Sequence, residues 1–214
     1  MQGDTLVIED HHHRAAISVA ARLLPEIQLF DGKYTMAVAG ESGAGKSEIA
    51  VAISRHLEVA GIPCVILQQD DYFRLPPKSN DLTRRKDISW AGPQEVRLDL
   101  MSAHLEAFID NESAVDKPLV IYEEDRIDSE TLEMRDARVA IAEGTYTSKL
   151  DHVETRVFID RDYRDTRKHR ERRNRDTSEL DDFIDRVLVI EHEIISADKV
   201  HADIVINRDY TINS

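Results

Sequence analysis

Eight residues near the start of the chain, GESGAGKS from Gly40 to Ser47, have the types and spacing of a loop that grips phosphate. Successive backbone N–H groups must converge on phosphate oxygens there, and side chains would block their approach, which is why Gly40, Gly43 and Gly45 recur. Glu41, Ser42 and Ala44 occupy the variable places of the same cradle. Lys46 reaches the terminal phosphates as a point charge, and the Ser47 hydroxyl is suited to ligate Mg2+. The helix expected to start at Lys46 adds partial positive charge at its N-terminus. This chemistry predicts a bound nucleoside triphosphate with magnesium.

Three later stretches bear on what the phosphate does. VILQQDDYF places Asp70 and Asp71 beyond an apolar strand, at the edge where open α/β sheets bind ligands. A carboxylate there can take a hydroxyl proton or hold a magnesium-bound water. VAIAEGTY places Glu143 at the end of another apolar strand, where facing Ser47 would make it a second magnesium contact; Gly144 then lets the backbone turn away. RDYRDTRKHRERRNRDT gathers seven basic residues between Arg164 and Arg175 in an otherwise acidic chain. Single arginines in such a run pair with Asp162, Asp165, Glu171 or Asp176, but the run as a whole suits a lid that closes over transferring phosphate.

These groups need a scaffold. Residues 11–29 have apolar positions at helical spacing, with Pro25 expected to bend or end the helix. YTMAVAG reads as a buried strand, Lys46 to Ala60 as a helix stopped by Gly61-Ile62-Pro63, and CVILQ as a second strand. A polar loop is expected from Asp70 to Pro93, then a helix over 94–110. PLVIYEE, ARVAIAEG, TRVFID and ADIVIN read as further strands, and 162–198 as charged helix. Alternating strands and helices give an α/β fold, a parallel sheet with helices on both faces. His11, His12 and His13 point different ways on a helix, so they cannot share a metal well; they read as an exposed helix start.

Composition excludes several classes. The chain has 214 residues and a net charge of −14, which argues against a general nucleic-acid or anionic-membrane binder. Cys64 is the single cysteine, so no internal disulfide forms, and a lone thiol in an apolar run suits a reducing compartment. Acidic residues and histidines interrupt the N-terminus early, unlike a secretory leader, and no apolar run reaches the roughly 20 residues of a membrane helix. A cytoplasmic protein is expected.

Taken in order, GESGAGKS, QDDYF, the proline of WAGPQEVRLDLM, the EG of IAEGTY, DTR…RRNRD and the final ADIVI resemble the uridine kinase and phosphoribulokinase family of P-loop small-molecule kinases, from about Tyr34 to Ile206. The resemblance implies a three-layer P-loop fold around five parallel strands, a helical arginine lid, and transfer of the γ-phosphoryl group of ATP to an alcohol. It implies a kinase domain over 34–214 preceded by a helical extension, 1–33. By position it makes Asp70 the base, Tyr72, Phe73 and Tyr122 substrate-side residues, Glu143 a magnesium contact, and Arg172 and Arg175 the lid arginines, to within one residue. QDDYF also resembles nicotinamide riboside kinases, which makes that nucleoside one of the first acceptors to try.

The departures concern the acceptor. Where uridine kinases carry a ribose-binding aspartate this chain has Ala91, and their base-reading histidine falls near Ile127. Glu179-Leu180-Asp181-Asp182 replaces their Glu-Arg-Gly-Arg after the lid, and Glu48 stands where a threonine is usual. A hydroxylated metabolite other than a pyrimidine nucleoside is therefore expected. If Glu123, Glu124 and Asp125 face the acceptor, they disfavour an anionic one. The alternative is a nucleotide-binding switch or regulatory protein without kinase turnover, but no suitable D-x-x-G follows a strand, and SKLD at Ser148–Asp151 comes too early for a guanine reader.

Overall fold

The computed structural model describes residues 6–166 and 182–212. Five parallel strands form the sheet: β1 (Tyr34–Gly40), β2 (Cys64–Gln68), β5 (Val139–Gly144), β6 (Thr155–Ile159) and β7 (Ile204–Ile206), in the order β2-β5-β1-β6-β7. Position in the sheet explains their sequences. β1 and β5 are central, buried along their whole length, and read as unbroken apolar runs. β2 and β7 lie at the edges, and their burial alternates.

Helices α1 (Asp10–Leu29) and α2 (Lys46–Val59) cover one face. Ala15, Ala16, Val19, Leu23 and Ile27 of α1 pack with Ile49, Ile53 and Leu57 of α2 over Met36, Val38, Ile141, Val157 and Ile204. Helix α4 (Leu98–Ile109) covers the other face with Met101, Leu105 and Phe108, joined by Ile195 of α5 (Asp182–Asp198). The result is the expected three-layer arrangement. The arginine run around Arg172 and Arg175 lies outside the described residues.

Several expectations are corrected. Of the two effects expected of Pro25, ending the helix does not occur: α1 runs on to Leu29, held by Leu23 and Ile27 in the core and by the Tyr34 hydroxyl, which donates to Glu26 Oε1 at 2.8 Å. His12 is not exposed but fully buried. Its ring packs against Gly45 and edge-on to Tyr210, beneath the glycine loop. PLVIYEE does not join the main sheet; it belongs to β3 (Ala114–Ile121), which pairs antiparallel with β4 (Arg126–Glu133) in a separate hairpin. The polar loop after Asp70 contains a helix, α3 (Pro77–Lys86), started by Pro77 and capped by Asp125, whose Oδ1 accepts the Lys78 N–H at 2.7 Å. Its one large apolar residue, Leu82, is exposed while Asn80 is buried, so no apolar periodicity announces it.

Candidate active site

The C-terminal ends of β1, β2 and β5 lie level: Glu143 is in register with both Val38 and Gln68. The glycine loop, the turn after β2 and Glu143 therefore meet at one edge of the sheet. Gly45 has φ +90° at the start of α2, and a Cβ there would come within 2.8 Å of His12 Nε2, so both conformation and space demand glycine. Lys46 Nζ donates to the Glu41 carbonyl at 3.0 Å, folding its side chain back over the loop. The Ser47 hydroxyl donates to Glu143 Oε1 at 2.9 Å.

Glu143 is buried, and desolvation together with the negative charge of Asp70 pushes its pKa up to about 7, against the opposing pull of Lys46 and Ser47. A buried carboxylate with a second carboxylate beside it favours a cation at that point. A hydroxyl and two carboxylate side chains at the end of a phosphate loop are the oxygen donors a magnesium–triphosphate complex uses, so the residues fit that group.

Asp70 and Asp71 have separate fates. Asp71 is buried; its Oδ2 accepts Lys117 Nζ at 2.8 Å and its Oδ1 accepts the Val120 N–H at 3.0 Å, fastening the turn to the β3 strand. Asp70 is half-buried, and its negative charge bears on Glu143. The turn itself is fixed by Gln69, whose Oε1 accepts the Tyr146 N–H at 2.7 Å. Gly144 is required by that contact rather than by a tight turn: a Cβ there would lie 2.2 Å from Gln69 Cβ.

The remaining site residues divide. Tyr72 is fully buried, its hydroxyl 2.8 Å from His104 Nδ1. Phe73 is half-buried and bridges to Val96. Tyr122 sits half-buried at the β3–β4 turn. Two of the three acidic residues after Tyr122 have partners for their carboxylates: Asp125 caps α3 and Glu124 pairs with Arg126 at 3.1 Å, while the Glu123 backbone carbonyl accepts Lys78 Nζ. Arg172 and Arg175 lie outside the described residues.

Sequence reading missed two groups. One ties the loop to its surroundings. The Glu41 carboxylate, 5% exposed, accepts the Tyr163 N–H at 2.7 Å and bonds His192 Nδ1 at 2.6 Å, while the Ser42 carbonyl accepts the Thr166 hydroxyl at 2.8 Å. The other joins Arg84 to Glu95 and Glu191, where burial raises the Glu191 pKa and Arg84 opposes the rise. The available signal was the Glu191-His192 pair interrupting the apolar run of α5.

Comparison with known proteins agrees with this geometry. The model of the phosphoribulokinase / uridine kinase family matches residues 35–211. The chain is 26% identical over 210 residues to a bifunctional alpha-galactosidase/sucrose kinase of Mediterraneibacter gnavus, covering 90% of this chain and 22% of that protein; it thus spans about a fifth of that relative's length. It is 24% identical over 181 residues to a uridine kinase of Leuconostoc citreum, covering 79% of this chain and 84% of the relative. A solved structure described as a possible uridine kinase from Bacillus stearothermophilus shares the fold with a TM-score of 0.67 at 14% identity, over 90% of this chain and 97% of the other. With the loop, the carboxylate beside it and the sheet order in place, the chain belongs to the phosphoribulokinase / uridine kinase family of P-loop small-molecule kinases.

Proposed function

We propose that the protein transfers the γ-phosphoryl group of ATP, complexed with Mg2+, to a hydroxyl of a small metabolite that is not a pyrimidine nucleoside. The observation that carries this is the Ser47–Glu143 hydrogen bond of 2.9 Å with Asp70 beside it, at the mouth of an intact glycine loop. The loop N–H groups and Lys46 hold the triphosphate, and Ser47 and Glu143 hold the magnesium, which supplies charge neutralisation when bound. Asp70 takes the proton of the attacking hydroxyl; the commitment of Asp71 to Lys117 and Val120 supports the choice between the two. Arg172 and Arg175 are proposed to close over the transferring group.

The acceptor follows from what the pocket lacks. Ala91, at the place of the ribose-binding aspartate of the resembled enzymes, is 4% exposed and carries no polar group. Each desolvated ligand group left unpaired costs about 1–3 kcal/mol, so uridine and cytidine are expected to be poor substrates. Acceptor-dependent ADP release, measured with MgATP and a panel of small alcohols, tests the kinase reading. Lys46→Ala should lower that rate by at least about a hundredfold in a folded protein. Wild-type turnover in folded Lys46→Ala would falsify it.

A further inference from the structure

A second polar cluster is buried next to the phosphate site. Arg84 of α3 donates through Nε to Glu95 Oε2 at 2.7 Å and through Nη2 to Glu191 Oε1 at 3.1 Å. Glu95, fully buried, also accepts the Asn80 amide and the Gly92 N–H. Glu191 stands in the buried stripe of α5 between Val187 and Ile195, where helical spacing asks for an apolar residue. A buried carboxylate there carries a desolvation cost that its pairing with Arg84 must offset.

The Tyr146 side chain closes the cluster. Tyr146 is 1% exposed, and its hydroxyl has no hydrogen-bond partner among the described residues. That hydroxyl lies within electrostatic reach of Glu191, Glu95 and Arg84. The next residue of α5, His192, bonds Glu41 of the glycine loop at 2.6 Å, which sets the cluster beside that loop. A further buried donor, Gln69 Nε2, also lacks a partner among the described residues, while the other end of its amide is fixed on the Tyr146 backbone. Buried donors are rarely left unmet, and these stand at the ligand edge of the sheet.

We propose that Tyr146, Glu191 and Arg84 form the hydroxyl-reading wall of the acceptor site, and that the acceptor is a neutral, polyhydroxylated molecule of carbohydrate type; this rests on the kinase reading above. A phenol and an amide donate to sugar oxygens, and the Glu191 carboxylate and Arg84 guanidinium supply the planar acceptor and donor that adjacent hydroxyls match. Two carboxylates against one guanidinium, with Asp70 and Glu143 nearby, disfavour phosphorylated or carboxylated acceptors.

The full chain with MgATP is assayed for ADP release against neutral mono- and disaccharides, a pyrimidine nucleoside, nicotinamide riboside, glycerate and a sugar phosphate. The expected result is a neutral sugar with kcat/KM at least tenfold above every other class. Tyr146→Phe should raise the KM for that sugar about tenfold while the KM for ATP stays within about twofold. It should also melt no lower than wild type, because it removes an unmet buried hydroxyl; a lowered melting point would make that hydroxyl a structural group and overturn its assignment. Glu191→Gln should raise the same KM. Preference for a nucleoside, a cation or an anion, or an unchanged sugar KM in Tyr146→Phe, overturns the carbohydrate assignment and leaves the kinase reading standing. Binding of MgATP with no acceptor-dependent ADP release from any class overturns both.

Discussion

Asp70 and Asp71 are neighbours in the chain with opposite surroundings. Asp71 forms a buried ion pair with Lys117, whose side chain is 5% exposed, and accepts a backbone N–H. Asp70 stands half-buried by Glu143. Removing the Asp71 carboxylate leaves Lys117 only the more exposed Glu130, 2.6 Å away, and leaves the Val120 N–H unmet, at about 2–3 kcal/mol. Asp71→Ala should therefore lower stability by about that amount in urea denaturation. Asp70→Asn should leave the urea midpoint nearly unchanged, retain MgATP binding and lower kcat by two orders of magnitude or so, the typical share of a general base. A kcat loss confined to Asp71→Asn would place the base one residue later.

At the scale of elements, α1 is built into the core rather than attached to it. Leu23 is 2% exposed against the sheet, whereas Leu29, at the end of the same helix, is 88% exposed. Leu23→Ala should cost about 2–5 kcal/mol and Leu29→Ala less than about 0.5 kcal/mol by urea denaturation. A different joint links the turn after β2 to α4, where Tyr72 meets His104. Burial and the Lys117 charge hold the His104 pKa below its ordinary 6.5. The unfolded chain thus binds a proton near pH 6.5 that the folded protein refuses, and stability contributed by neutral His104 is present above that pH and lost as pH falls through it. His104→Asn should flatten the fall in melting temperature between about pH 7 and 5; an unaltered acid limb would show that other groups cause it.

For the whole molecule, the site is an edge where both layers and the sheet converge, so ligand binding should be felt globally. A ligand at about a hundred times its dissociation constant adds about 2.7 kcal/mol of stability. For a chain of this size that corresponds to roughly 5–10 °C in melting temperature. MgATP should give such a shift in the wild type, with chelation of magnesium abolishing most of it and Lys46→Ala reducing it. In the described residues no helix is long and apolar enough to cross a membrane.

The local chemistry of this protein was already legible in the sequence. The glycine loop, the strands that end at Glu143 and Asp70, and the family resemblance follow from glycine placement and apolar runs, which are properties of neighbours in the chain. The central strands β1 and β5 were readable because burial on both faces leaves no alternation to interpret. Helix α3 was not, because its buried face is Asn80 and Arg84 and its partners are Asp125, Glu95 and Glu191, the last 107 residues away from Arg84. The burial of His12, the different surroundings of Asp70 and Asp71, and the Tyr146 hydroxyl without a partner among the described residues likewise depend on what other segments bring to one point. Periodicity reports which face of an element is apolar; it carries no term for a polar group satisfied, or left unsatisfied, by a distant part of the chain. Only the tertiary structure supplies that term.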